Sequence, residues 1–348
     1  MKKIVFMLTL LVAAVGAEAK YWKIGPGSVA GMDFASITAA MESTNVNDGD
    51  TLYLDQYYNS TGTVKISKRV VVIGTGYDTS LTDEQVVATI NGTLELNVDG
   101  ILVQSVRLND VHFYADNCTL DRCYVHGLYV KSTMAGLNHI YSSYITWQIL
   151  GYSNDEKSML DIQNCVIIYN SSTDLNQICF LKKSIIKNNT ILNSYNYSNY
   201  YCINNVVSST ICNNFILKIS TSYTSNDLSN GVIASGSGNA IEHNILSRSS
   251  TLSNYPTNKV GWTKSKLSQL FVMTGTYSDY YKLVTKTGDN FALNYSTDGG
   301  EVGCHGGMFG CPSGGRPQYI PYFTKVTVGS RSEDGKLPVS VTIKIQDE

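Results

Sequence analysis

Between residues 120 and 246 the chain repeats one six-residue phrase six times, and this repeat constrains the fold more than any other feature. An aliphatic stands first and sixth, an exposed residue second, and small or polar residues third and fourth. The copies are Leu120-Asp-Arg-Cys-Tyr-Val125, Ile140-Tyr-Ser-Ser-Tyr-Ile145, Ile162-Gln-Asn-Cys-Val-Ile167, Ile186-Lys-Asn-Asn-Thr-Ile191, Ile211-Cys-Asn-Asn-Phe-Ile216 and Ile241-Glu-His-Asn-Ile-Leu246. Their starts are 20, 22, 24, 25 and 30 residues apart. Aliphatics at fixed places, with this period and no helical spacing, predict a solenoid of stacked coils.

Aligning the copies assigns a role to each column. The first and sixth columns face the core. The second, Asp121, Tyr141, Gln163, Lys187, Cys212 and Glu242, faces outward. The fourth column holds Cys123, Ser143, Cys165, Asn189, Asn214 and Asn244. Asn tolerates the left-handed conformation of a tight corner, so the bend is expected here. Stacked Asn amides can also hydrogen-bond from coil to coil. Arg122 and His243 share the third column with Asn164, Asn188 and Asn213 and read as surface groups. Gln104–Asn109 reads as an earlier, less regular coil. The growing period places longer loops on the later coils, where binding is expected on a regular scaffold.

The ends of the chain read differently. Lys2 and Lys3, the apolar run Ile4–Val15 and Ala17-Glu18-Ala19 have the pattern of a signal peptide, giving 1–19 as leader and an exported product. Asp33 can cap a helix over Phe34–Met41 that covers the first coil. Thr51–Leu54, Val64–Ile66 and Val70–Gly74 read as short strands. Residues 20–315 form the solenoid with its cap. Residues 316–348 form a tail in which Val339–Ile345 alternates as a strand, with Lys325–Val328 as its partner.

Charge excludes some partners. Of 26 basic and 28 acidic residues, 24 and 27 remain without Lys2, Lys3 and Glu18. A net charge near −3 gives no footprint for nucleic acid, and no segment beyond the leader predicts membrane insertion. Eight cysteines are present. Cys123 and Cys165 share a column two coils apart, roughly 10 Å at about 4.8 Å per coil, which is beyond disulfide reach. Cys304 and Cys311, in a Gly-rich segment, are the best pair for a bridge. The other cysteines are expected to pack as small apolar residues.

The opening GDTLYLDQYYNSTGTVKISKRVVVIGTG (49–76), the Asn-laddered coils and the Gly-rich stretch Asp298–Gly310 resemble the exported right-handed parallel β-helix proteins of the pectate-lyase-like superfamily, of the type common in Bacteroidetes. The resemblance covers most of residues 20–315 and implies an all-β right-handed parallel β-helix. It implies no single activity, because the fold hosts lyases, hydrolases, esterases, binding proteins and adhesins. The paired carboxylates of glycoside hydrolysis are missing. His126-Gly127 and His305-Gly306 match only two letters of a hydrolase motif.

A lyase of this kind needs a base and a cation, normally calcium, to neutralise a uronate carboxylate. Lys187 is the candidate base and Glu242 the nearest acid in its column. They lie two coils apart, roughly 10 Å by the strand spacing, whereas calcium ligands converge at about 2.3–2.6 Å. Cys304, His305 and Cys311 fall short of a four-ligand zinc site, and their segment reads instead as a Gly-rich turn. Tyr195, Tyr197, Tyr200 and Tyr201 crowd one loop and Tyr223 the next, where amphipathic rings can meet sugar faces. The leading expectation is therefore a non-catalytic glycan binder. A calcium-dependent lyase on uronate chains and a structural or adhesive envelope protein are the alternatives.

Overall fold

The computed structural model describes residues 19–79, 86–131, 136–152, 158–169, 176–193, 201–218, 232–234, 236–247, 257–260, 267–275, 277–284, 290, 292–309, 315, 322–328 and 339–344. The expected leader lies outside the described residues.

Two long, all-parallel sheets dominate, and their strand order follows the sequence, as a parallel β-solenoid requires. The first contains Tyr21–Ile24, Thr51–Leu54, Val71–Ile73, Leu102–Gln104, Thr119–Asp121, Leu137–Tyr141, Met159–Gln163, Ile185–Lys187, Thr210–Cys212 and Ala240–Glu242, each paired with the next. The second forks. Tyr124–Val130 pairs with Tyr144–Ile145 through its first half and with Ile149–Leu150 through its second. From there two ladders continue separately, one through Val166–Tyr169, Thr190–Asn193 and Phe215–Lys218, the other through Ile178–Lys182 and Ile203–Val207.

The repeat sets this register. Leu120, Ile140, Ile162, Ile186, Ile211 and Ile241 stand opposite one another along the first sheet. Val125, Ile145, Ile167, Ile191, Ile216 and Leu246 do so along the second. All are buried and join one core cluster. Burying each side chain stabilises the fold by about 1.5–3 kcal/mol, so the two columns are a major store of its stability. Gln104–Asn109 is as regular as the later coils: Val103 faces Leu120, and Leu108 faces Val125.

The left-handed corner lies one column earlier than the sequence predicts. Arg122, Ser142, Asn164, Asn188, Asn213 and His243 of the third column all have φ between 48° and 59°. The fourth column forms the ladder. Backbone N–H groups of Cys165, Asn189 and Asn214 donate to Oδ1 of Asn189, Asn214 and Asn244 on the next coil at 2.8–3.0 Å. Asn244 N–H continues the ladder to Asn258 Oδ1 at 2.9 Å. A second ladder lies two residues before each phrase. Cys118 N–H donates to Asn138 Oδ1, Leu160 N–H to Ser184 Oγ, Ser184 N–H to Ser209 Oγ and Ser209 N–H to Asn239 Oδ1. Asn117, Lys183, Ser208 and Gly238 beside it are also left-handed.

The helix is shorter than the sequence suggests, spanning Ile37–Glu42, with Ser36 rather than Asp33 as its N-cap. Asp33 instead accepts from Lys23 N–H at 2.8 Å, which holds the entering turn against the first strand. Ile37, Ala40 and Met41 enter the core. Near the other end, Tyr322–Val328 and Val339–Lys344 form the expected antiparallel pair.

The Gly-rich stretch turns locally, with Gly306 N–H donating to the Gly303 carbonyl at 3.0 Å, and as a whole it forms a strap. It runs back across the third-column corners, against the order of the coils. Thr297 N–H donates to Asn213 Oδ1 at 2.9 Å, and Cys304 N–H to Thr190 Oγ1 at 3.2 Å. Asn164 Nδ2 donates to the carbonyls of Cys304 and Gly306, and Ser142 Oγ to that of Phe309 at 3.0 Å. Glycine is required at 307, where φ is +75° and a Cβ would lie 1.7 Å from Asn188 Nδ2. Cys304 is a buried thiol without a disulfide, and Cys311, its expected partner, lies outside the described residues. Cys118, Cys123, Cys165, Cys179, Cys202 and Cys212 are buried thiols without disulfides. Burial pushes Cys123 up to about 12 and Cys118 up to about 11, so both stay protonated and inert.

Candidate functional site

Most of the expected sugar platform, Tyr195, Tyr197, Tyr200 and Tyr223, lies outside the described residues. Tyr201 is half-buried, and its N–H donates to Asn176 Oδ1 at 2.9 Å. The ammonium of Lys218 sits 5.8 Å from its ring centroid. Lys218 is only 5% exposed, and burial holds its ammonium pKa below the usual lysine value.

The lyase pair does not converge. Lys187 and Glu242 flank Cys212 in register, one coil to each side, as their spacing predicts. The thiol between them is pushed up to about 11 by burial. Among the described residues no group of three or more His, Cys, Asp or Glu side chains could hold a metal ion. Arg122 pairs with Asp121 instead of facing a groove. His243 stands at a corner, 5.5 Å from the ring of Tyr295.

Chemistry-bearing side chains gather instead on two outer surfaces. The first is a strip along the second sheet, built by the strands Arg107–Phe113 and Tyr124–Val130 and the segment after Ile145. Alternation turns Val111, Val125 and Leu128 inward and leaves His112, His126 and Tyr129 half-exposed. His126 stacks on Trp147 at 5.2 Å and 18°, and Trp147 tilts against Tyr169 at 5.3 Å. Beside them His112 meets Tyr129 edge-on at 5.1 Å, and Tyr114 is 42% exposed. Gly127 allows this crowding, since a Cβ there would lie 2.6 Å from Asp110 Oδ1 and 3.0 Å from the Tyr129 ring.

Among the described residues, Asp110 Oδ1, His112 Nδ1, His126 Nδ1 and Thr146 Oγ1 of this strip are buried atoms without a hydrogen-bond partner. Asp110 Oδ1 lies 3.6 Å from His126 Nδ1. Each such atom costs about 1–3 kcal/mol if left unpaired. Burial, helped by the Lys131 charge and opposed by Asp110 and Glu95, lowers the His112 pKa and keeps that imidazole neutral.

The second surface is the outer face of the first sheet. Tyr141 OH donates to Asp161 Oδ2 at 2.6 Å, and Gln163 Nε2 to Asp161 Oδ1 at 2.7 Å. His139 Nδ1 lies 2.7 Å from the Tyr141 hydroxyl and 3.4 Å from Asp161 Oδ2. Burial alone would raise the Asp161 carboxyl; donation from His139, Tyr141 and Gln163 outweighs it and holds the group below the usual carboxylate range. Burial, together with the same carboxylate, pushes the Tyr141 phenol far above its ordinary value. Phe309 of the strap stacks on Tyr141 at 4.4 Å and 9°.

Neither surface was singled out from the sequence. The available signal was positional: His126 follows the sixth column directly, Trp147 lies two residues beyond it in the next coil, and His139 and Asp161 directly precede the first column. No family model matches the chain, and neither a curated protein nor a solved structure does.

Proposed function

We propose that this protein is an exported glycan-binding β-helix of the right-handed, pectate-lyase-like kind, and that it holds sugar along the strip from Tyr114 to Trp147. One observation carries the reading. Half-exposed rings from adjacent coils lie beside Asp110, His112, His126 and Thr146, four side chains with unsatisfied polar atoms. Apolar ring surface next to spare acceptors and donors suits a pyranose, whose C–H faces are flanked by hydroxyls. Trp147 Nε1 adds a donor with no partner among the described residues.

The lyase alternative gains no support from the separated Lys187 and Glu242. Affinity electrophoresis through gels cast with neutral and with acidic polysaccharides tests the proposal. At least one polysaccharide should retard the protein, and Trp147→Ala should weaken that binding about tenfold or more, equivalent to about 1.4 kcal/mol. Unretarded migration in every gel, or wild-type retardation of Trp147→Ala, refutes it.

A further inference from the structure

On the first sheet, three residues of one outward column come into register across three successive strands. Thr119 stands opposite His139, and His139 opposite Asp161. A hydroxyl, an imidazole and a carboxylate therefore follow one another at the strand spacing of about 4.8 Å. We propose that Thr119, His139 and Asp161 form an acyl-transfer site that cleaves esters, separate from the aromatic strip and independent of the glycan reading.

The hydrogen bonds fix the proton positions. Asp161 is a carboxylate that accepts from Tyr141 OH, so the tyrosine proton is committed to it. The His139 nitrogen facing both groups must then carry its own proton. That leaves Nε2 with a free lone pair, the state a general base needs, oriented by a buried carboxylate. Thr119 is partly exposed, and its hydroxyl bonds to no described residue. The Thr119–His139 hydrogen bond is open in the resting protein; such bonds commonly close only when substrate arrives. The stacked rings of Tyr141 and Phe309 form an apolar wall beside the imidazole.

The step balances without a co-reactant other than water. Thr119 Oγ attacks the ester carbonyl carbon while its proton passes to His139 Nε2. The bond from the acyl carbon to the alcohol oxygen breaks, and the alcohol leaves with that proton. Water, activated by the same nitrogen, then hydrolyses the Thr119 acyl ester, releasing a carboxylic acid and restoring the hydroxyl. The backbone N–H groups of Thr119 and His139 are held by the carbonyls of Ile101 and Cys118, so neither is free to stabilise an oxyanion. The expected acceleration is that of base-assisted attack, about 10²–10⁴-fold.

The test treats the full-length protein with a fluorophosphonate probe, which reacts with activated hydroxyls and loses fluoride, followed by peptide mapping. Hydrolysis of p-nitrophenyl acetate is followed in parallel. The label should map to Thr119 and should persist in Thr119→Ser. It should fall about 100-fold or more in Thr119→Val and His139→Gln. Asp161 acts through His139 as a positioning residue, so Asp161→Asn should both slow labelling and change its pH profile. Thr119 and His139 are partly exposed on the outer face of the sheet, so their variants should keep the wild-type circular dichroism spectrum. Failure of the wild-type protein to label, labelling at another residue, or undiminished labelling of folded Thr119→Val each overturns the assignment. Glycan retardation is unaffected by any of these outcomes.

Discussion

Asn117 has φ +56° and is exposed, so its contribution to stability is almost purely conformational. A left-handed residue other than glycine is strained by about 1–2 kcal/mol, which Asn tolerates better than most. Asn117→Gly should therefore leave the unfolding free energy within about 0.5 kcal/mol, whereas β-branched Asn117→Val should lose about 1–2 kcal/mol. Asn214 has the opposite role. Its Oδ1 receives Asn189 N–H, and its Nδ2 donates to the Ile186 carbonyl, so Asn214→Ala should lose about 1–3 kcal/mol through orphaned buried groups. Urea denaturation of the three variants checks both statements. The residue types in the repeat pointed to corners and ladders but could not separate them, because Asn serves both. Only the backbone shows that the left-handed turn precedes the ladder residue by one position.

Lys218 is another residue whose role burial decides. Burial lowers its pKa in the folded chain from the ordinary value of 10.5, so the unfolded chain holds the proton more tightly. The penalty is fully present below the folded pKa and disappears as pH rises towards the unfolded value. Lys218→Met should therefore raise the denaturation midpoint at neutral pH, and its advantage over wild type should shrink towards pH 10.5. Paired urea titrations across the alkaline range measure this, and an advantage independent of pH refutes it.

Among the elements, the strap is the one that sequence reading undervalued. Its glycines suggested a turn, because turns are the commonest reason for glycine. Several of them also permit close approach. Gly303 packs on Phe215, Gly306 on the Glu301 carbonyl and Gly307 on Asn188. Gly307→Ala combines a left-handed φ with a collision at 1.7 Å, so it should loosen the strap from Asn164 and Asn188. The expected loss is about 1–3 kcal/mol, with faster limited proteolysis between residues 290 and 310 while the coils themselves resist. Uniform destabilisation without new cleavage in that segment would count against a detachable strap.

At the scale of the whole molecule, stacking makes each coil depend on its neighbours. The core columns were legible in the sequence because both requirements repeat with the coil: an aliphatic at the first and sixth places, and a small polar residue between them. The register of Leu120 to Ile241 follows directly, since a slip by one residue would turn every aliphatic outward. The two-stranded end pair was equally readable, from alternation over Val339–Lys344. The outer surfaces were not. Solvent-facing positions carry no periodic constraint, so Thr119, His139 and Asp161 look unrelated along the chain. They come into register only because strands 20 and 22 residues apart are laid side by side. The sequence by itself therefore determined the coil, its core columns and the fourth-column ladder, all of which repeat local requirements of burial and hydrogen bonding. Tertiary structure alone decided which outward side chains become neighbours and where the strap lies, because both depend on lateral contact between coils distant in sequence.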